Sequence, residues 1–186
     1  MAVADVFVRD DIITEPVYNR FSVCYEHGCQ KVVALSLTLP EWNKITASLQ
    51  QPLPAASDER AAIATTVSNM EHVVGRRTGT HFDKGGNLRG FGQPGQMDCI
   101  DESTNTITYL SMLAENGLLQ HHAVMDRVTR FGIFAGPPHT TAVIRENASG
   151  QLFAVDSWFF DNGEPPAILK IQTWKTGWHP AEAEND

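Results

Sequence analysis

The sequence predicts an α+β fold with a mostly antiparallel sheet. A hairpin pattern opens the chain, helical periodicity follows over residues 40–75 and again over 99–116, and strand-like runs then succeed one another over residues 121–174. Helices and strands that are grouped in this way, rather than alternating, are typical of α+β proteins. The 186 residues, 42% of them hydrophobic, suffice for one domain with a buried core. We expect an N-terminal part (1–75), a glycine-rich loop (76–95) and a main core (96–178).

The first elements follow from short-range patterns. Residues 18–26 and 30–38 are rich in Val, Phe and Tyr and flank the turn-like segment 26–29, which predicts a β-hairpin. The segment 38–41 (Thr-Leu-Pro-Glu) has the spacing of a capping box and predicts a helix over about 40–50. Apolar residues at helical spacing predict a second helix from Ser57 to about Gly75.

The glycine-rich segment and the third helix come next. Six glycines over residues 76–95 predict a long loop, and no strand precedes them as a phosphate-binding loop requires. Asp98 as an N-cap and Gly117 as a stop predict a helix over 99–116. The strand-like runs that follow are 121–126, 128–134, 139–146, 151–160 and 167–174.

Charge and hydropathy exclude several classes of partner. The net charge of −8 argues against nucleic acid or an anionic membrane surface, since both require a positive patch. No apolar run approaches the roughly 20 residues of a membrane span. The segment 1–14 carries charged residues and lacks the apolar stretch of a signal peptide, so we expect a cytoplasmic protein.

Cys99 is the first candidate for chemistry, because it opens a predicted helix. The positive end of a helix dipole stabilises a thiolate, which is the nucleophilic form of cysteine. The neighbouring carboxylates Asp98, Asp101 and Glu102 oppose that charge, so an imidazolium partner would be required. The alternative is a buried cysteine that serves only packing.

His139 and Asp156 are candidate partners for this thiol. They lie in two predicted strands joined by a turn at residues 146–150, and they face each other if the turn centres between Asn147 and Ala148. A register shifted by two residues would leave them diagonal and within reach, whereas a shift of one would separate them onto opposite faces. A cysteine hydrolase requires such a pair to accept the thiol proton and to orient the imidazole. Otherwise, His139 merely begins a strand and Asp156 makes a local hydrogen bond.

These residues resemble the transglutaminase-like branch of the papain-like cysteine hydrolases, of the bacterial transglutaminase-like cysteine proteinase type. The matching stretches are 95–99 (Gly-Gln-Met-Asp-Cys), the helix end at 113–118, 138–140 (Pro-His-Thr) and 153–158 (Phe-Ala-Val-Asp-Ser-Trp). The resemblance covers about residues 92–160. It implies a papain-like or transglutaminase-like core in which Cys99 is the nucleophile, His139 the general base and Asp156 the orienting acid.

An oxyanion hole should accompany such a triad. The backbone N–H of Cys99 is one donor, and a nearby side-chain amide would be the second. Gln93 stands six residues before the cysteine, a spacing that resembles the oxyanion glutamine of papain-type enzymes, and Gln96 is the closer alternative. Trp158 is expected to be a core or edge aromatic residue, or a wall of the substrate cleft.

The expected function is hydrolysis of a peptide, isopeptide or other amide bond through a thioester, without a cofactor. The substrate would be a peptide, a protein or an amide-bearing small molecule. Acyl transfer to an amine would use the same residues. The alternatives are a non-catalytic module that binds a peptide or protein, and an arylamine acetyltransferase-like enzyme, for which the sequence lacks a basic cluster.

A metal site is not expected. Cys24, His27 and Cys29 bring three soft ligands within six residues, but a structural zinc site usually has four ligands with a second pair downstream. Packing or a local disulfide is the expected role of these cysteines.

Overall fold

The N-terminal hairpin consists of β1 (Phe21–Tyr25) and β2 (Lys31–Leu35), which pair antiparallel with Val23 opposite Val33. The computed structural model describes residues 9–87, 92–131 and 138–181. β1 is almost completely buried because its inner face packs on the third helix, whereas β2 is partly exposed. The predicted hairpin is thus present, with strands shorter than the sequence pattern.

Two helices follow the hairpin. α1 (Leu39–Ile45) starts at Thr38, whose hydroxyl accepts from the Glu41 amide while the Glu41 carboxylate accepts from the Thr38 amide. This is the predicted capping box, although the helix ends five residues before the predicted boundary. α2 (Ala56–Thr78) buries its apolar stripe against α3 (Cys99–Glu115).

The predicted end of α2 at Gly75 was wrong, since the helix continues to Thr78. Gly79 ends it in a left-handed conformation with φ of 85°. Gly75 serves close packing instead, because a Cβ there would lie 2.5 Å from Oδ1 of Asn162. The predicted loop therefore begins at Gly79 and includes a 3-10 turn at Thr80–Phe82, and its residues 88–91 lie outside the described residues.

α3 is buried along most of its length despite its many polar residues. Thr104 and Thr108 satisfy their hydroxyls by donating to carbonyls four residues earlier in the helix. The β-branched segment therefore folds as a helix, enclosed by β1 on one side and the main sheet on the other. The helix stops before Gly117, which is left-handed as predicted.

The main sheet has the order β3-β4-β5-β6 and is antiparallel throughout. Its strands are β3 (His122–Arg130), β4 (His139–Glu146), β5 (Leu152–Asp156) and β6 (Ala167–Lys170). These segments confirm an α+β class with antiparallel sheets.

Three of the predicted strand boundaries were wrong. The two runs at 121–126 and 128–134 form one strand with an irregularity between Met125 and Val128, and residues 132–134 lie outside the described residues. The run 151–160 ends at Asp156, where the chain turns. The run 167–174 ends at Lys170 and continues as the short helix α4 (Ile171–Lys175), because Ile171 and Trp174 are buried at helical spacing.

Within the described ranges, no helix combines the length and the apolar character needed to cross a membrane.

Candidate functional site

His139, the first residue of β4, and Asp156, the last residue of β5, are hydrogen-bonded to each other at one end of the two inner strands. The distance between His139 Nε2 and Asp156 Oδ2 is 2.7 Å, and both side chains are buried. Ala142 faces Val155, so the register differs by two residues from the one that would place the pair directly opposite. The two side chains are therefore diagonal, and the imidazole spans the extra distance.

The Asp156 carboxylate has a second buried donor. The indole Nε1 of Trp174, in α4, donates to the same Oδ2 at 2.6 Å. Two donors on one oxygen satisfy a buried carboxylate and fix its orientation. No sequence pattern indicates this role for Trp174, because the contact depends on a helix where a strand was predicted.

Aromatic rings surround the imidazole of His139. The ring centroids of Trp158, Phe159 and Trp174 lie 4.8, 5.0 and 5.5 Å from that of His139. Trp158 is half-buried, as expected for either of its predicted roles, and its backbone carbonyl accepts from Gly86 in the preceding loop. These rings hold the imidazole in place and reduce its exposure to water.

The Cys99 thiol lies beside the backbone of β4. Cys99 is the first residue of α3 and is half-buried, and the backbone N–H of Thr140, the residue after His139, lies close enough to lower the pKa of the thiol. The Cys99 side chain thus lies near the start of β4 and close enough to Asp156 for the charge of that carboxylate to act on the thiol. The Thr140 contact was not foreseen, since only the tertiary structure places a strand amide against this helix end.

The surroundings of the thiol oppose its ionisation. Burial, followed by the negative charges of Asp98 and Asp156, raises the pKa of Cys99 to about 11. The thiol is thus neutral at rest, and a thiolate forms only when its proton moves to a base. His139 is suited to that role because Asp156 holds Nε2 as the protonated nitrogen, which leaves Nδ1 as the acceptor.

Two aspartates fix the start of α3. The Asp98 carboxylate accepts from the amides of Ile100 and Asp101, while the Asp101 carboxylate accepts from the amide of Asp98. This reciprocal capping box holds the first helical turn and therefore the backbone of Cys99.

Backbone amides of the Glu26–Cys29 loop, in the N-terminal hairpin, donate hydrogen bonds to the same two aspartates, Asp98 and Asp101. The amides of His27 and Cys29 donate to Asp101 at 2.7 and 2.6 Å, and the amide of Gly28 donates to Asp98 at 2.9 Å. All four loop residues are left-handed, with φ between 57° and 66°, and this conformation turns the amides of His27, Gly28 and Cys29 toward the two carboxylates, while the Glu26 amide donates to the Gln96 carbonyl. That conformation costs about 1–2 kcal/mol for each of the three non-glycine residues. Hydrogen bonds to charged groups contribute about 1.5–3 kcal/mol each, so the three bonds offset this cost.

Cys29, the last residue of this loop, forms a disulfide with Cys24 in β1. With Asp101 the two cysteines are also the one group of three His, Cys, Asp or Glu side chains in the described ranges whose ligand atoms lie close enough for a metal. Because the sulfurs are bonded to each other, they are not available as thiolate ligands.

The two predicted oxyanion glutamines differ in their surroundings. Gln96 is buried, and its side-chain amide donates to the Phe82 carbonyl while its oxygen accepts from Lys84 and Asn87. These bonds commit Gln96 to the loop before the site and argue against a role on substrate. Gln93 is exposed and stays the predicted side-chain donor.

Residues of α2, α3 and the loop that joins them form a cluster of buried carboxyl groups. Burial raises the pKa of Glu71 and of Asp83 to about 7 and that of Asp101 to about 6, and it raises the pKa of Glu102 well above its usual value. Negative charges on neighbouring members add to the effect of burial. No sequence pattern indicates this cluster, because the positions of Glu71 and Glu102 resemble ordinary surface sites of helices.

The chain matches no protein-family model, and neither curated proteins nor solved structures include a significant match to it. Its function is therefore argued from the site alone.

Proposed function

We propose that this protein is a cysteine-nucleophile acyl-transfer enzyme that hydrolyses a peptide, isopeptide or other amide bond through a thioester. One observation carries the proposal: His139 and Asp156 are hydrogen-bonded to each other, and the Cys99 thiol lies near enough for the Thr140 amide and the Asp156 charge to act on it. A nucleophile, a base and a group that orients the base are the components of such enzymes. We assign Cys99, His139 and Asp156 to these roles.

The first half-reaction forms the thioester. Nδ1 of His139 takes the Cys99 proton as the sulfur attacks the substrate carbonyl, and the carbonyl electron pair moves to its oxygen. The resulting imidazolium is stabilised by Asp156. The carbonyl then re-forms, the C–N bond breaks, and the imidazolium gives its proton to the leaving amine.

The second half-reaction releases the acyl group. His139 removes a proton from water as the water oxygen attacks the thioester, and it returns that proton to the departing sulfur. An amine in place of water would give acyl transfer by the same steps. The half-buried Trp158 and the rings beside His139 restrict the approach of the second nucleophile.

Proton transfer is coupled to attack in this mechanism. The raised pKa of Cys99 excludes a stable thiolate at neutral pH in the resting site. The backbone N–H of Cys99, at the start of α3, and the side chain of Gln93 are the proposed oxyanion donors.

The order of elements supports assignment to the transglutaminase-like branch of the papain-like hydrolases. A helix begins at the cysteine, an antiparallel strand begins at the histidine, and the next strand ends at the aspartate. This family assignment is part of the proposal.

Acylation of Cys99 by p-nitrophenyl acetate tests the proposal. The wild-type protein should gain one acetyl group on Cys99, detected by peptide mass spectrometry, and release nitrophenol in a burst. General-base catalysis contributes about 100-fold or more, so His139→Ala should slow acylation by that factor. His121→Ala is the matched control, because His121 binds the Leu53 carbonyl away from the site. Equal acylation of the wild type and His139→Ala would refute the assignment.

A non-catalytic peptide- or protein-binding module is the second candidate. The carboxylates that oppose thiolate formation at Cys99 favour it. The same assay separates the two, since a binding module would acylate no faster than its His139→Ala variant. If acylation is fast, adding a primary amine then distinguishes hydrolysis from acyl transfer by the product formed.

A further inference from the structure

The N-terminal hairpin is joined to the start of the nucleophile helix by side-chain hydrogen bonds. Asp98 and Asp101 together accept from three amides of the Glu26–Cys29 loop. Asn105, two turns into α3, binds both the amide and the carbonyl of Cys24 at 2.8 Å. The hairpin end therefore defines where α3 begins, 70 or more residues later in the chain.

The disulfide closes the base of this loop. Cys24 is the second-to-last residue of β1, and Cys29 ends the loop just before β2. The disulfide therefore encloses the four residues between the two cysteines. Three of the four left-handed loop residues are not glycine, and L-residues rarely adopt that conformation without external support. The covalent closure and the two aspartates supply this support from opposite sides.

We propose that the Cys24–Cys29 disulfide is a redox-sensitive clamp that positions Cys99 through Asp101. The inference rests on the proposed function for its catalytic consequence and on the loop contacts for its structural one. Asp101 is a positioning residue, since its carboxylate binds loop and helix amides and touches no reacting atom.

Reduction by a dithiol would open the clamp. The dithiol supplies two electrons and two protons, the S–S bond breaks to give two thiols, and the reductant leaves as its own cyclic disulfide. The loop residues can then leave the left-handed region, which removes the amide donors of a buried carboxylate. The first turn of α3 loosens, and Cys99 shifts away from the Thr140 amide and from His139.

The clamp predicts opposite changes in two reactions of the same thiol. Acylation that depends on His139 should fall at least tenfold, because it requires the aligned site. Alkylation of Cys99 by iodoacetamide should rise at least tenfold at pH 8, because loosening relieves the burial that keeps the thiol neutral. Peptide mass spectrometry follows Cys99 alone in both reactions.

Three variants test the mechanism: Cys24→Ser with Cys29→Ser, Asp101→Asn, and all three changes together. Each should show both changes and raise amide exchange only in the Glu26–Cys29 loop and the first turn of α3. Because the disulfide and Asp101 act through the same loop, the triple variant should be no more affected than the double. Reduced wild-type protein should behave like the double variant and recover on reoxidation.

Thr38→Ala is the matched control, since it weakens a helix cap away from this contact. Exchange that rises evenly across all helices, or fully additive effects in the triple variant, would overturn the clamp. So would alkylation rates of Cys99 that agree within twofold in the oxidised and reduced proteins. If Cys99 never acylates but exchange and alkylation respond as described, the proposed function fails and the clamp stands. If acylation of Cys99 is fast and reduction leaves its rate unchanged, the clamp fails and the proposed function stands.

Discussion

Asp156 is the residue on which the geometry of the site depends. Its Oδ2 accepts from Nε2 of His139 and from Nε1 of Trp174, at 2.7 and 2.6 Å, and the residue is almost completely buried. A carboxylate in this environment must be hydrogen-bonded, and removing one donor leaves it partly unsatisfied. The Trp174 indole thus orients the Asp156 carboxylate, which in turn orients the His139 imidazole.

Trp174→Phe should therefore impair acylation while leaving the protein folded. A hydrogen bond to a charged group contributes about 1.5–3 kcal/mol, which predicts roughly a tenfold slower reaction if half of it orients His139. The substitution also leaves a small cavity, so we expect a loss of about 2 kcal/mol in the free energy of unfolding. Stopped-flow acylation and urea unfolding measure the two effects.

Trp178→Phe is the matched control for this prediction. Its ring lies 5.7 Å from Phe159 in the same aromatic group, and none of the described hydrogen bonds joins it to Asp156. Equal loss of acylation in both variants would mean that aromatic packing, rather than the indole N–H, supports the site.

Glu59 joins α2 to β3 and to the residues that precede it. Its fully buried carboxylate accepts from the amides of Gln120 and His121 and from Nδ1 of His122. Burial alone would raise the pKa of Glu59, but the bond with His122 and the two amides lower it below its usual value. The contact joins the N-terminal part of the chain to the main sheet.

Glu59→Gln should lower the free energy of unfolding by about 3 kcal/mol near pH 7, because an amide cannot replace all three bonds. A carboxyl group whose pKa is lower in the folded than in the unfolded protein stabilises the folded state at pH values above its unfolded-state pKa. This stabilisation is lost as the pH falls through the folded-state pKa. The difference from the wild type should therefore shrink below about pH 4. Urea unfolding at pH 7 and pH 3.5 tests this, with exposed Glu115→Gln expected to change stability by less than about 0.5 kcal/mol.

For the β4–β5 hairpin, sequence patterns predict the strands but not the register in which they pair. Alternation and turn composition predicted both strands and a shared face for His139 and Asp156. They did not predict the register, because Gly150 adopts a left-handed φ of 71° within a four-residue loop, and the Glu146 amide donates to the Gln151 carbonyl. Because the register is shifted by two residues rather than by one, His139 and Asp156 stay on the same face of the sheet and within reach of each other.

The remaining site contacts depend on long-range packing. Trp174, the Thr140 amide and the Glu26–Cys29 loop reach the site from segments that carry no local pattern for these roles. Helix caps and stops are local, so Asp98 and Gly117 were predictable. A glycine required for close packing, such as Gly75, has the same sequence pattern as a helix stop.

Over the whole molecule, buried acids set the dependence of stability on pH. Burial raises the pKa of Asp83 and Glu71 to about 7 and that of Asp101 to about 6. The folded protein therefore holds protons that the unfolded chain releases above about pH 4. A carboxyl group whose pKa is higher in the folded than in the unfolded protein stabilises the folded state fully at pH values below its unfolded-state pKa. This stabilisation is lost as the pH rises through the folded-state pKa.

The free energy of unfolding should thus fall between about pH 5 and pH 8, opposite to the trend in proteins whose carboxylates are stabilised as anions. A single pKa raised by about 3 corresponds to roughly 4 kcal/mol, and a fall of about 2–4 kcal/mol is expected overall. Urea unfolding across this range measures it.

Asp83→Asn identifies the source of that trend. Oδ1 of Asp83 accepts from the Met97 amide at 2.8 Å, and an asparagine oxygen can keep this bond without the charge. The variant should match the wild type near pH 5 and exceed it by about 1–3 kcal/mol at pH 8, because it removes a buried negative charge that repels Glu102. A variant as pH-sensitive as the wild type would show that Asp83 ionises at little cost.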